Sequence, residues 1–107
     1  MKGTHLGELE ELVLLTTAVL DGNAYTVTIA NEIKLQSNRA ITLSTVHTSL
    51  HRLEQKGFVK SEVGGTTKAR GGRRKRLYVI TKTGYEALQE AKELRSKMWD
   101  LMPKPGF

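Results

Sequence analysis

Residues 58–81 constrain the fold more than any other part of the sequence, because two β-prone runs there flank a glycine-rich stretch. Phe58 to Val63 and Lys75 to Ile80 contain aromatic and β-branched residues, which favour strands. Between them, "GGTTKARGGRR" has the glycines that mark a loop. This segment predicts a β-hairpin with a long connecting loop.

Three helical patterns precede the hairpin. The first stops at "DGN", where Asn23 can cap a short second helix that exits at "QSN". Thr42 can cap a third helix, which Gly57 closes. Inward-facing residues recur at three- and four-residue steps in each pattern. They are Leu9, Leu12, Val13, Thr16, Val19 and Leu20; Tyr25, Ile29 and Ile33; and Leu43, Val46, Leu50 and Leu53.

A fourth helical pattern follows the hairpin. Thr81 can cap it, and Pro103 and Pro105 end it. Its apolar residues alternate four- and three-residue steps, the spacing of a helix that packs along a partner helix. They are Ala87, Ala91, Leu94, Met98 and Leu101.

This order of elements predicts a mainly α fold with a small β hairpin. It is the order of a winged helix-turn-helix domain followed by one extra helix. We expect the DNA-binding domain to span residues 1–81, a C-terminal dimerisation helix residues 82–102, and a tail residues 103–107.

Positive charge is concentrated in the middle of the chain, within a net charge of +6. Residues 1–33 hold one lysine against five acids (1 − 5 = −4), and residues 34–82 hold twelve cations against two acids (12 − 2 = +10). Residues 83–107 balance (4 − 4 = 0). Such a basic surface indicates a polyanionic partner, most often nucleic acid and less often an anionic membrane surface.

The face of the third helix opposite its apolar seam carries small hydroxyl side chains and a cation. Small side chains near a helix N-terminus allow close approach to base edges in the major groove, and the N-terminal N–H groups favour phosphate. A hydroxyl-rich face can also be ordinary solvent-exposed surface. The residues of this face are Ser44, Thr45, Thr48, Arg52 and Gln55.

Six cations fall within the nine residues 68–76, at the end of the hairpin loop and the start of its second strand. Because no acidic residue stands between Val63 and Tyr85, repulsion destabilises this segment unless it meets an anion. A basic wing can follow the phosphate backbone or enter a minor groove while the neighbouring helix reads the major groove. The cations are Lys68, Arg70, Arg73, Arg74, Lys75 and Arg76.

Four stretches together resemble the PadR-like family of transcriptional regulators, in particular its short members with one C-terminal helix. They are "LGELEELVLL", "DGNAYTVTIANEI", "TLSTVHTSLHRLEQKGFV" and "GGRRKRLYVITKTGYEAL", within a likeness that runs from about Leu6 to Trp99. The most specific pieces are the L-x-R-L-E-x-K-G-x-V run that begins at Leu50 and the G-G-R-x-[KR]-[KR]-x-Y-x-[IL]-T run that begins at Gly71.

The resemblance implies a homodimeric repressor that binds a palindromic operator in double-stranded DNA. The DNA contacts that it implies are Thr42, Ser44, Thr45, Thr48 and Arg52 on the helix, and Arg73, Arg74 and Arg76 on the wing. His47 stands where the family usually has tyrosine, which leaves its role open.

The fourth helix is the expected dimerisation element, because its apolar stripe exceeds what a hairpin and three helices can cover. The alternative is that this helix folds back within one chain. Some short members of the resembled family bind flat aromatic drugs at the dimer centre, which implies a possible ligand site at Trp99 and Met98. The alternative at this site is simple interface packing.

Composition and targeting signals favour a cytosolic protein. The chain has no cysteine, so neither disulfides nor thiolate metal sites can support the fold. The N-terminal "MKGTHLGELEELVLL" carries glutamates before its apolar stretch, unlike a secretory signal, and this stretch is too short for the ~20 residues of a membrane helix. We expect no membrane association.

The sequence does not favour an enzyme. His47 and His51 have the i,i+4 spacing of a helical metal pair, but Thr48 stands where a hydrolytic zinc helix has glutamate. We expect no catalysis, cofactor or metal.

A winged module that binds RNA or another protein is the remaining alternative. RNA recognition uses exposed aromatic side chains. Tyr25, Phe58 and Tyr78 fall on stripes or strands that should be buried. A protein adaptor should tolerate the loss of the basic wing, whereas a DNA-binding protein should not.

Overall fold

The computed structural model describes residues 6–63 and 75–107. Four helices and one two-stranded antiparallel sheet follow each other in the predicted order, which confirms a mainly α fold with a small β hairpin. The elements are α1 (Glu8–Val19), α2 (Thr26–Ser37), α3 (Leu43–Gln55), β1 (Val59–Val63), β2 (Arg76–Ile80) and α4 (Lys82–Leu101).

Hydroxyl caps and a glycine define the ends of α3 and the start of α4. Thr42 Oγ1 accepts a hydrogen bond from Thr45 N–H at 3.2 Å, and Thr81 Oγ1 accepts one from Gly84 N–H at 3.0 Å. Both predicted N-caps are therefore confirmed. Gly57 follows α3 with φ +80°, a left-handed conformation that terminates the helix.

The predicted N-cap at Asn23 is wrong, because α2 begins after Tyr25. The backbone of Asn23 belongs to the preceding turn, where its N–H donates to Leu20 O at 2.6 Å. Its carbonyl accepts a hydrogen bond from Thr28 Oγ1 at 2.7 Å, and Thr28 Oγ1 also accepts from Tyr25 N–H at 3.0 Å. Thr28 thus satisfies the backbone at this helix start from within α2.

One apolar core lies between α1, α2, α3 and the inner face of the hairpin. Two residues that were predicted to face inward are exposed, namely Val19 and Leu43. They are the last residue of α1 and the first residue of α3, where each helix extends beyond the core. The fully or nearly buried apolar residues are Val13, Leu14, Ala24, Ile29, Ala30, Ile33, Val46, Leu50, Leu53, Phe58, Val59 and Tyr78.

The hairpin packs onto the helices through its inner face. Its register runs from Val59 opposite Ile80 to Val63 opposite Arg76. Tyr78 is buried, and its N–H donates to Ala24 O at 2.8 Å, which attaches β2 to the connection between α1 and α2. The position of the wing relative to the helices is therefore set by both side-chain burial and a backbone hydrogen bond.

The first half of α4 packs against the core, whereas its second half is exposed. Ala87 and Leu88 of the first half lie against the core, and Arg95, an exposed residue of the second half, forms an ion pair with Glu11 of α1 at 3.2 Å. Every residue from position 92 to the C-terminus is exposed. The alternative in which α4 folds back within the chain therefore holds only for its first half.

Candidate nucleic-acid interface

One face of α3 is polar and exposed, while the opposite face forms part of the core. Val46, Leu50 and Leu53 are fully buried. Ser44, Thr48 and Arg52 are exposed and four residues apart, so they form a row along the outer surface of the helix. Gln55 extends this exposed face and Thr45 is half-buried at its edge. The structure thus brings together the helix residues that the sequence predicts as DNA contacts.

Three hydroxyl groups gather at the N-terminus of α3. Thr42 Oγ1, besides capping the helix, donates to Thr45 Oγ1 at 2.8 Å and lies 3.4 Å from Ser44 Oγ. The cap orients these short side chains at the end of the helix where the partial positive charge of the helix dipole lies. This end of α3 can therefore approach an anion or the edge of a base closely.

A chain of hydrogen bonds joins the second wing strand to α3. Arg76 Nη1 donates to Ser61 Oγ at 3.0 Å, and Ser61 Oγ donates to Glu54 Oε2 at 2.8 Å. These side chains come from β2, β1 and the last turn of α3. The predicted contact Arg76 is therefore placed beside the outer surface of α3.

Four of the predicted wing contacts lie outside the described residues. They are Lys68, Arg70, Arg73 and Arg74.

Lys75, the residue before β2, contacts Tyr25, the residue before α2. Its Nζ lies 4.4 Å from the centre of the Tyr25 ring and 3.0 Å from the Tyr25 hydroxyl. A cation over an aromatic face is stabilised by about 0.5–1 kcal/mol at an exposed site. Sequence reasoning missed this contact, since it joins residues 50 positions apart and no local pattern signals it. The expectation that Tyr25 is buried is also only partly correct, because its side chain is half-buried.

Acidic residues of α1 bind two of the cations near α3. Arg39 donates to both carboxylate oxygens of Glu8, at 2.8 and 3.2 Å, and these hydrogen bonds lower the pKa of Glu8. Lys56 Nζ lies 2.6 Å from Glu10 Oε1. Burial raises the pKa of Glu10, but the hydrogen bonds from Lys56 and the Gly7 backbone, together with the charges of Lys56 and Arg52, outweigh burial, and the pKa ends below its ordinary value. The charge of Arg52 also helps to lower the pKa of Glu10, but Arg52 makes no side-chain hydrogen bond or ion pair in the described part of the chain, so its guanidinium can bind an external anion.

The second half of α4 forms a separate apolar surface. Of the predicted dimerisation residues, Ala87 and Ala91 are half-buried, whereas Leu94, Met98 and Leu101 are exposed. Trp99 is 71% exposed, which is far more than a residue of this size shows in a packed core. A surface recess of about 550 Å³ is lined by Leu94, Arg95, Met98, Trp99 and Met102.

Neither a metal centre nor a membrane span is present in residues 6–63 and 75–107. No group of three or more His, Cys, Asp and Glu side chains there could hold a metal ion. No helix in those ranges is both long and apolar enough to cross a membrane.

Comparison with solved structures shows several similar chains. A PadR family transcription regulator from Clostridium difficile R20291 is 26% identical with a TM-score of 0.73, covering 90% of this chain and 95% of that chain. A transcriptional regulator from Clostridium thermocellum is 25% identical with a TM-score of 0.66, covering 90% of each chain. These likenesses confirm the winged-helix fold.

A more distant likeness is to Bacillus subtilis PadR, whose structure was solved in complex with operator DNA. It is 18% identical with a TM-score of 0.62, covering 92% of this chain and 49% of that chain.

The family described as "Transcriptional regulator PadR-like family" matches residues 14–90. The matched range contains α2, α3, the hairpin and the first half of α4. A comparison with curated proteins found no match. Because the family match covers most of the chain, this protein belongs to the PadR-like family of transcriptional regulators.

Proposed function

We propose that this protein is a sequence-specific, double-stranded DNA-binding repressor that acts as a homodimer. The observation that carries the proposal is the exposed row of Ser44, Thr48 and Arg52 on α3, to which Arg76 of the wing is joined through Ser61 and Glu54. The fold shared with the operator-bound Bacillus subtilis protein supports it. In this mechanism α3 enters the major groove while the wing follows the neighbouring backbone.

The two surfaces have different roles in recognition. The hydroxyls at the N-terminus of α3 are short enough to contact base edges and thus contribute to sequence preference. The cations of the wing bind phosphates, which supply most of the affinity and carry little sequence information. Binding should therefore weaken steeply as salt concentration rises.

The proposal is tested by fluorescence anisotropy with duplex DNA from the region adjoining the protein's own gene. We expect Arg73→Ala combined with Arg74→Ala to abolish binding while the far-UV circular dichroism spectrum is unchanged. The matched control is Lys92→Ala combined with Lys97→Ala, which removes the same charge from the exposed side of α4. Full binding by the wing variant would refute the proposed interface.

A second arm of the same experiment addresses the RNA and protein alternatives. In the described part of the chain Phe58 and Tyr78 are buried, and Lys75 covers the ring of Tyr25. None of these three rings is free for stacking on an unpaired base, and the exposed rings of Tyr85 and Trp99 lie on α4 rather than on α3 or the hairpin, which favours duplex DNA at the α3 surface. Preference for single-stranded RNA of the same length over the duplex would reverse this conclusion. An adaptor that binds protein alone would bind neither nucleic acid.

Homodimerisation through α4 is part of the proposal. Leu94, Met98 and Leu101 expose an apolar stripe on the second half of α4, where every side chain is exposed. Burying such a stripe stabilises an association at about 25 cal/mol per Å². A two-fold dimer can also place two copies of α3 on the half-sites of a palindrome about one helical turn apart.

Light scattering coupled to size exclusion tests the dimer. We expect a dimer for the natural chain and a monomer for Leu94→Asp combined with Met98→Asp. The control is Leu35→Asp, which changes an even more exposed leucine on α2 and should leave the dimer intact. A monomeric natural chain at tens of micromolar would contradict the proposal.

Release by a small ligand is the last part of the proposal. The recess beside Trp99 and Met98 is apolar and large enough for a flat aromatic compound. Because Trp99 is the single tryptophan, its fluorescence reports on this recess directly. We expect planar aromatic cations to quench it and to weaken DNA binding. No quenching at high micromolar ligand would assign this surface to dimer packing instead.

A further inference from the structure

Two histidines form a second row on the outer surface of α3. His47 and His51 are exposed and lie one helical turn apart. Thr48 follows His47 directly and precedes His51 by three positions, so the histidine row adjoins the row of Ser44, Thr48 and Arg52. A nucleic acid that lies along the row of Ser44, Thr48 and Arg52 must therefore come close to the imidazoles of His47 and His51.

The fold gives these side chains no other role in the part of the protein that the structure describes. Neither imidazole has a hydrogen bond or an ion pair with a described residue. The buried seam of α3 is formed instead by Val46, Leu50 and Leu53. Both imidazoles can thus accept a proton or bind an external group without loss of a contact described here.

No carboxylate around α3 forms an ion pair with either histidine in the described part of the chain, and all but Glu62 have other partners. On α3 itself, Glu54 accepts a hydrogen bond from Ser61. The elements packed against α3 are α1, α2 and β1. Their charged groups are Glu8, Glu10 and Glu11 on α1, Glu32 and Lys34 on α2, and Lys60 and Glu62 on β1. Glu8, Glu10, Glu11 and Glu32 bind Arg39, Lys56, Arg95 and Gln36 respectively, and Glu62 is exposed and forms no ion pair with either histidine.

We propose that His47 and His51 belong to the DNA interface and bind phosphate in their protonated form, so that DNA affinity rises as pH falls through the titration of imidazole. This inference rests on the proposed function. A neutral imidazole offers one N–H donor and no charge, whereas the imidazolium offers two donors and a positive charge. A phosphate stabilises the imidazolium, and DNA binding is therefore coupled to proton uptake.

The direction of the effect follows from this coupling. The contribution to affinity is complete below the pH at which the free imidazoles titrate, and it is lost as pH rises above the titration in the complex. Each imidazole whose proton uptake is favoured by about one pKa unit strengthens binding about tenfold. Each additional phosphate contact also steepens the logarithmic salt dependence by about 0.9.

The test measures binding of a fluorescent duplex of about 30 base pairs, which covers two half-sites, between about pH 8 and pH 5.5 at one salt concentration. We expect the natural chain to bind at least about tenfold more tightly at the lower pH. His47→Gln combined with His51→Gln should bind equally at both pH values. His5→Gln, a change to the third histidine of the chain, is the control and should keep the full pH dependence.

A fixed charge provides a second, independent variant. His51→Lys should bind more tightly than the natural chain at about pH 8 and should lose about half of the pH dependence. Circular dichroism at each pH checks that every variant is folded. The fold should tolerate the lower pH, because the pKa values of Glu8 and Glu10 lie below their ordinary values.

The outcomes separate the two proposals. No binding of duplex DNA by the natural chain at any pH would refute the proposed function. Binding that does not change with pH, or a pH dependence that the double glutamine variant retains, would overturn the assignment of the histidines alone. Loss of the pH dependence in His5→Gln would overturn it as well.

Discussion

Among the glycines that the structure describes, Gly84 is the one at which an added methyl group meets the closest atoms. It is the third residue of α4 and is buried. A Cβ atom at Gly84 would lie 2.1 Å from Phe58 O and 3.0 Å from Ile80 Cγ1. The Phe58 carbonyl cannot easily move, because it accepts a hydrogen bond from Thr81 N–H at 3.0 Å and the Phe58 side chain is buried in the core.

The size of the effect follows from two opposing contributions. Alanine favours a helix over glycine by up to about 1 kcal/mol. Against this, overpacking costs typically about 1–3 kcal/mol and occasionally more. The blocking atom belongs to the backbone, so α4 must move away until the contact lengthens from 2.1 Å to the 3.4 Å of ordinary contact. We therefore expect Gly84→Ala to lower the free energy of unfolding by about 2 kcal/mol, which lowers Tm by about 8–16 °C in a domain of this size.

Urea unfolding followed by far-UV circular dichroism measures this change. All samples need the same protein concentration, because self-association makes apparent stability concentration-dependent. Gly106→Ala is the matched control, since no atom lies within 4 Å of the added Cβ there. If Gly84→Ala unfolded within about 0.5 kcal/mol of the natural chain, the first turn of α4 would not be packed against Phe58 as described.

Three further predictions concern ion pairing, DNA contacts and a turn. Burial raises the pKa of Glu10, but the hydrogen bonds from Lys56 and Gly7 and the nearby charges of Lys56 and Arg52 together lower it more. Ionised Glu10 therefore stabilises the fold above its ordinary pKa, and this stabilisation is lost as pH falls through the lower folded-state pKa. The free energy of unfolding of Glu10→Gln, measured with urea, should thus be about 1 kcal/mol lower than that of the natural chain at neutral pH, and the two should become equal in acid. A difference that is the same at all pH values would contradict this prediction. Arg76→Ala should make the slope of log affinity for DNA against log salt concentration shallower by about 0.9, because one phosphate contact is lost. Arg95→Ala on α4 should leave this slope unchanged, and equal slopes for the two variants would show that Arg76 is not part of the interface. Gly57→Ala should cost about 1–2 kcal/mol of stability because φ is +80°, and a neutral effect in thermal unfolding would show that the turn accepts a side chain.

The helices and strands were largely predictable because their signals are local. Thr42 and Thr81 cap α3 and α4 as predicted, and Gly57 closes α3. The error at Asn23 has a local cause too, since the turn after α1 uses its backbone before α2 begins. Cap preferences identify residues able to start a helix, but neighbouring hydrogen bonds decide which of them does.

The candidate site was predictable on α3 and less so on the wing. Helical periodicity places Ser44, Thr48 and Arg52 on one exposed row, as the structure shows. His51 is exposed beside this row, but its i,i+4 spacing from His47 directed attention to a metal pair instead. That these residues contact DNA stays a prediction.

The amino-acid sequence by itself determined the order of the elements, their approximate ends and the net positive charge of residues 34–82. These depend on periodicity, capping and composition, which act over a few residues. The tertiary structure alone decided that Arg76 is joined to Glu54 through Ser61, that Lys75 covers Tyr25, and that α4 leaves its second half uncovered. Such contacts join residues far apart in the chain, and their formation depends on how the elements pack in three dimensions rather than on any local pattern.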